Sequence, residues 1–217
     1  MFTTKTIFNL LDFDVATLTF GGADHPTNVM VEALPSRSTA AGSSPKAPVV
    51  LATVPVPALG AATYRVRGTH SAFNPYGGIR VTSVDHLGNP SLNPFIAYLT
   101  MASPDGTDPV SGPHCGGTQC RIAYLPAPPT GAQTIKIAIT SIDLPQNIEV
   151  RNPLPGGFSS TVNVGADHTY IWDSLALGID VSGTGLIEVT GKGNIPIAVS
   201  ATVLRATRLF RVYPSRL

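Results

Sequence analysis

The sequence predicts an all-β fold: an antiparallel β-sandwich of the jelly-roll type, with an immunoglobulin-like sandwich as the second choice. Three observations carry this. Glycine (21) and proline (20) supply nearly a fifth of the 217 residues, without a collagen-like period, so the chain is punctuated throughout by turns. Between those breakers lie short runs rich in Val, Ile, Thr and aromatics, several alternating with period two. Apolar residues at helical spacing rarely persist beyond two turns, so helix content should be low.

The first expected strand is Val15 to Phe20. There Ala16, Leu18 and Phe20 form one apolar face and Val15, Thr17 and Thr19 the other, as a half-buried strand requires. Val49 to Val56, Thr63 to Arg67, Ile79 to Asp85, Phe95 to Met101 and Arg121 to Leu125 follow. In Thr134 to Ser141, Ile135, Ile137 and Ile139 share a side opposite Lys136, Ala138 and Thr140. Ile148 to Arg151, Ser159 to Val164, Thr169 to Asp173, Leu177 to Val181, Leu186 to Thr190 and Ile195 to Val203 complete the series. A hairpin is expected where Gly178 to Val181 and Leu186 to Val189 flank Ser182-Gly183-Thr184-Gly185, whose glycines tolerate positive φ.

One domain over residues 1–217 is expected, with long loops at about 35–48 and 103–119. The first, PSRSTAAGSSPKAP, lacks large apolar side chains, and a cut there would leave an N-terminal piece too small for its own core. No internal repeat is expected. Gly-Ala-Asp-His does occur twice, at Gly22 to His25 and Gly165 to His168, and Ala33-Leu34 matches Ala176-Leu177 at the same offset, but the residues between do not match. Asp85-His86 adds a third Asp-His pair; strand neighbours point to opposite faces, so adjacency does not make a catalytic pair.

Charged residues make up 12% of the chain, about half the usual ~25%, and the net charge is +1. Too few charges are present to cover a monomer's surface, which points to self-association. The absence of a basic stripe argues against nucleic acid as partner. No run of about 18 apolar residues exists, so no membrane span is expected. The run Ile7 to Asp12 is too short and too soon interrupted to be a signal peptide.

Candidate chemistry is sparse. The run His114-Cys115-Gly116-Gly117-Thr118-Gln119-Cys120 permits a disulfide between Cys115 and Cys120. A zinc site is disfavoured, because structural zinc takes four ligands and no second Cys/His cluster accompanies this one. Asp105-Gly106-Thr107-Asp108 could hold calcium, but Asp and Gly are ordinary turn residues. The G-x-S-x-G, P-loop, G-x-G-x-x-G and H-E-x-x-H patterns are all missing, and no cofactor is expected. A hydrolase centred on Asp105, Asp108 and His114 is the least favoured class. Tyr170 and Trp172 would share one strand face, a platform for stacking a sugar if exposed and core filler if buried. Arg205, Arg208 and Arg211 recur every third residue and could meet an acidic partner; a single strand would send Arg208 to the face opposite the other two.

The function expected from this pattern is a non-enzymatic structural subunit of a homo-oligomer, a virion capsid or decoration protein, located in a virion or an extracellular assembly. A carbohydrate-binding or adhesion module is the alternative.

Overall fold

Alternating burial along Val15–Gly22 sets the pattern of the structure, a computed structural model. Ala16, Leu18 and Phe20 are fully buried while Val15, Thr17 and Thr19 are partly exposed. The structure describes residues 2–10, 15–38, 47–67, 76–102, 109–111, 115–127, 131–205, 208–212 and 215–216. Among these there are strands and turns but no helix. The strands are β1 (Lys5–Asn9), β2 (Val15–Gly22), β3 (Thr27–Ser38), β4 (Val49–Val56), β5 (Ala61–Arg67), β6 (Tyr76–Val84), β7 (Phe95–Ala102), β8 (Pro109–Ser111) and β9 (Cys115–Gly117). They continue as β10 (Gln119–Tyr124), β11 (Gln133–Ser141), β12 (Gln146–Arg151), β13 (Ser159–Val164), β14 (Thr169–Asp173), β15 (Gly185–Gly191), β16 (Ile197–Arg205), β17 (Arg208–Val212) and β18 (Ser215–Arg216).

The protein is all-β, an antiparallel sandwich of the jelly-roll class, as expected. A four-stranded sheet runs β5-β2-β7-β8 and a five-stranded sheet β13-β12-β15-β10-β18. Behind both lies one nine-stranded sheet, β1-β6-β3-β14-β11-β16-β17, with β4 also on β3 and β9 on β16. Two apolar cores result. Leu18, Phe20, Val31, Val81, Phe95 and Leu99 belong to an N-terminal lobe, and Ile122, Ile137, Ile139, Val150, Trp172 and Val189 to a C-terminal lobe. Each fully buried side chain of this size contributes about 1.5–3 kcal/mol.

The lobes repeat one topology. In the N-terminal lobe β1 pairs β6, β2 pairs β5 and β7, β3 pairs β4 and β6, and β7 pairs β8, all antiparallel. Read in the same order from β10 to β17, the C-terminal lobe makes the same six pairings. This corrects the expectation of no repeat. The register makes Asp24-His25-Pro26-Thr27-Asn28 equivalent to Asp143-Leu144-Pro145-Gln146-Asn147, with Val31 matching Val150. Gly-Ala-Asp-His is not part of the repeat, since its copies lie in non-equivalent turns, β2 to β3 and β13 to β14.

Strand β3 joins the lobes. Its first part pairs with β4 and β6, and Ser36, Arg37 and Ser38 pair in parallel with Thr169, Tyr170 and Ile171 of β14. The expected loop at 35–48 is therefore strand at its start, because a partner distant in sequence satisfies its backbone groups. Residues 39–46 lie outside the described set. Its counterpart β12 stops at Arg151, where Asn152-Pro153-Leu154-Pro155 removes two N–H donors and turns the chain.

Residues 174–184 depart from the expected hairpin. Ser174 to Gly178 form a turn in which the Asp173 carboxylate accepts from Leu175 N and Ala176 N (2.9 and 3.4 Å), and Gly178 adopts φ 66. The segment crosses between sheets with its polar groups satisfied locally, so Leu186 pairs with Ala123 rather than with residues 178–181. Within the expected loop at 103–119, Pro109–Ser111 and Cys115–Gly117 are short strands.

Candidate functional site

The chemistry-bearing side chains gather in two charge clusters and one loop-lined cleft. In the first cluster Arg80 makes a bidentate contact with Glu32, from Nε at 2.7 Å and Nη2 at 3.0 Å, and also pairs with Asp167 of the other lobe. Asp167 in turn accepts from the backbone N of Asp143 (3.0 Å), and Asp143 pairs with Lys5. Hydrogen bonding to Glu32 is the largest cause that raises the pKa of Arg80 and holds it charged, opposed by burial and aided by the nearby Asp167. The cluster ties β1, β3 and β6 to the loops at one end of the C-terminal lobe.

Beside it, Asn9 is 1% exposed and donates through Nδ2 to the carbonyls of Ala138 (3.0 Å) and Ala198 (2.7 Å), while its Oδ1 accepts from Thr140. Thr140 also contacts Thr169 at 2.7 Å. Lys136, Ala138 and Thr140 were expected on the side of β11 opposite Ile135, Ile137 and Ile139. The structure buries Ala138 and Thr140, because the N-terminal lobe covers that side.

The second cluster occupies the equivalent place with reversed polarity. The register Glu32↔Arg80 in β3–β6 corresponds to Arg151↔Glu188 in β12–β15. Glu188, 3% exposed, accepts from Arg151 Nη2 at 2.7 Å and from Arg121 Nε at 2.8 Å. These contacts, Arg151 first, hold its carboxyl below the ordinary value of 4.5 against the opposing effect of burial. A depressed carboxylate stabilises the fold above its unfolded-state value and loses that contribution as pH falls through the lower folded value. Glu188→Gln should therefore reduce stability at pH 7, and the gap to the parent should close as pH drops well below 4.5. Urea unfolding at both pH values tests this; a gap that stays constant would remove Glu188 from the acid dependence.

The cleft, about 660 Å³, lies at the free end of the N-terminal lobe and is lined by Pro26, Asn28, Pro57, Asp85, His86 and Asn93 among others. The Asp85 carboxylate accepts from Leu87 N (2.8 Å) and Asn89 N (2.9 Å), which lowers its pKa, the bond to Asn89 first, and closes the local turn. The third Asp-His pair thus serves a turn.

Trp172 is fully buried, stacked on Phe158 at 5.4 Å between ring centroids, with Nε1 donating to Ser160 Oγ (3.2 Å). Its ring has no face open to a sugar, and Tyr170, partly buried, packs against the same core. This removes the exposed stacking platform. Cys120 is fully buried and disulfide-bonded. Cys115, the chain's other cysteine, sits on β9 of the nine-stranded sheet, whereas Cys120 belongs to the five-stranded sheet. Arg205 ends β16, donating from Nε to Gln133 Oε1 (2.7 Å) and from Nη2 to the Leu125 carbonyl (3.0 Å). Arg208 and Arg211 lie on β17, in register with Arg205 and Thr202, so the arginine run is two antiparallel strands rather than one. Asp105, Asp108 and His114 lie outside the described residues.

Among the described residues no three His, Cys, Asp or Glu side chains gather as metal ligands, and no helix is long and apolar enough to cross a membrane. Reasoning on the sequence missed both charge clusters. The one visible signal was Glu32, a lone charge inside the run Val29 to Leu34. The chain matches no known family model and no curated protein.

Proposed function

We propose that the chain is a non-enzymatic structural subunit of a homo-oligomeric assembly, of the kind that builds or decorates a virion capsid. One observation carries this: an uncharged apolar strip on β4. Val49, Val50 and Leu51 are 43%, 55% and 38% exposed, and no charged residue occurs from Ala47 to Tyr64. The register shift between Val31 and Glu32 leaves Leu51 as the extra residue of a bulge, which turns three successive apolar side chains toward solvent. At the same place in the C-terminal lobe β13 pairs without a shift: exposed Ser159 stands in the place of Val50, and Phe158, in the place of Val49, stacks on buried Trp172. An apolar strip left in water where the sister lobe packs its aromatic inward and leaves a serine outside is what a covered surface requires.

Pro55 and the bulge hinder simple strand addition, so side chains would carry the contact. The sandwich class and the low charge fit a shell or decoration subunit. Light scattering across concentrations should give a discrete oligomer. Val50→Lys and Leu51→Lys, at exposed positions, should keep the β-sheet circular dichroism and weaken association roughly tenfold or more. A parent protein monomeric at every concentration would refute the reading.

A further inference from the structure

The contact between the lobes uses one patch of the C-terminal lobe and one face of the N-terminal lobe, and the repeat leaves a second copy of each without that contact. The patch consists of Ile142, Asp143, Asp167 and Ala198. Ile142 and Ala198 pack with Ile7 and Leu34, Asp143 pairs with Lys5, and Asp167 pairs with Arg80. In the N-terminal lobe the equivalent positions are Ala23, Asp24, Leu59 and Ile96, because Gly22↔Phe95 corresponds to Ser141↔Ile197. Leu59 and Asp167 both have φ 53, in turns closed by matching bonds, Gly60 N to Pro57 O (3.1 Å) and His168 N to Gly165 O (3.2 Å). This second patch is open: Asp24 is exposed, Leu59 is 81% exposed and Ile96 is 40% exposed.

The face repeats as well. Lys5↔Thr82 and Ile7↔Arg80 of β1–β6 correspond to Gln119↔Thr190 and Arg121↔Glu188 of β10–β15. Arg121 and Arg151 keep 42% and 45% of their side chains exposed around the carboxylate of Glu188, and Glu149, opposite Thr190, brings a second carboxylate to this face, where it accepts from Ser159 Oγ (2.9 Å).

We infer that the Asp24, Leu59 and Ile96 patch docks on the Gln119, Arg121 and Arg151 face of a second copy, repeating between molecules the contact that joins the lobes. The inference rests on the homo-oligomer reading above and names its contact. The patch brings Asp24 and no cation to a face that exposes the guanidiniums of Arg121 and Arg151 beside Glu188 and Glu149. The match therefore rests on the repeated geometry and on local contact with those guanidiniums rather than on a net charge. Leu59, in the place of Asp167, meets the aliphatic stems of those arginines. Because patch and face are different surfaces, the contact is heterologous and builds rings or open chains. It is weaker than the interlobe contact, since Pro153 and Pro155 end β12 where β3 runs on, and Ala123 stands where Asn9 anchors the lobes.

In the interlobe contact Asp143 meets Lys5, so between copies Asp24 should meet residue 119. Sedimentation velocity at low salt on the full chain tests this with Asp24→Lys, Gln119→Lys and the double variant Asp24→Lys/Gln119→Asp. Asp24→Lys should weaken self-association roughly tenfold, Gln119→Lys should strengthen it several-fold, and the double variant should return to about the parent value. A parent that associates equally well in all four forms would overturn this contact and leave the homo-oligomer reading standing. A parent and a Gln119→Lys variant that both stay monomeric at every concentration would overturn both.

Discussion

Trp172→Ala lowers the unfolding free energy by about 3–5 kcal/mol, the cost of emptying a fully buried aromatic site. The ring fills the centre of the C-terminal core, stacks on Phe158 and satisfies its indole N–H through Ser160 Oγ, so its removal leaves a void and a hydroxyl that keeps only its bond to the Val150 carbonyl (3.4 Å). Because Trp172 is the one tryptophan, urea unfolding has to be followed by circular dichroism rather than fluorescence. A loss below about 1 kcal/mol would mean that the core is not built around this ring. Any glycan retention lost in this variant would report unfolding rather than a removed binding platform.

Arg80→Ala costs about 2–3 kcal/mol, below the ~3–5 of a fully buried pair because the Arg80 side chain keeps 18% exposure. It leaves Glu32, 9% exposed, and Asp167, 16% exposed, without the cation between them. Arg80→Ala combined with Glu32→Gln should recover part of the loss, since one uncompensated charge is then gone. Denaturant unfolding of the two single variants and the double would measure this coupling, and strict additivity would show that the pair does not act as a unit.

The parts of the fold legible in sequence were those whose partners are set by local alternation. β4, β13 and β14 begin and end where Val49 to Val56, Ser159 to Val164 and Thr169 to Asp173 were expected. β3 was missed, although Val29 and Val31 are fully buried, because its apolar run contains Glu32 and continues into a Pro- and Ser-rich stretch. The repeat escaped for a related reason. From Val15 to Glu32 only Asp24, Pro26, Asn28 and Val31 keep their identity in the other lobe, and further matches such as Val54 with Val162, Ile79 with Ile187 and Val81 with Val189 are residues common to any buried strand. Gly-Ala-Asp-His, the eye-catching match, falls in non-equivalent turns.

By itself the sequence determined the all-β class, most strand positions and a charged fraction of 12%, because period-two alternation, turn residues and composition are local quantities. Tertiary structure alone decided which strands pair, and so where the charges lie. Glu32 and Arg80 are 48 residues apart, Arg121 and Glu188 are 67 apart, and Arg80 and Asp167 are 87 apart. The first two pairs meet through strand register and the third through the turn between β13 and β14 packed against the N-terminal lobe, and no local pattern encodes either closure.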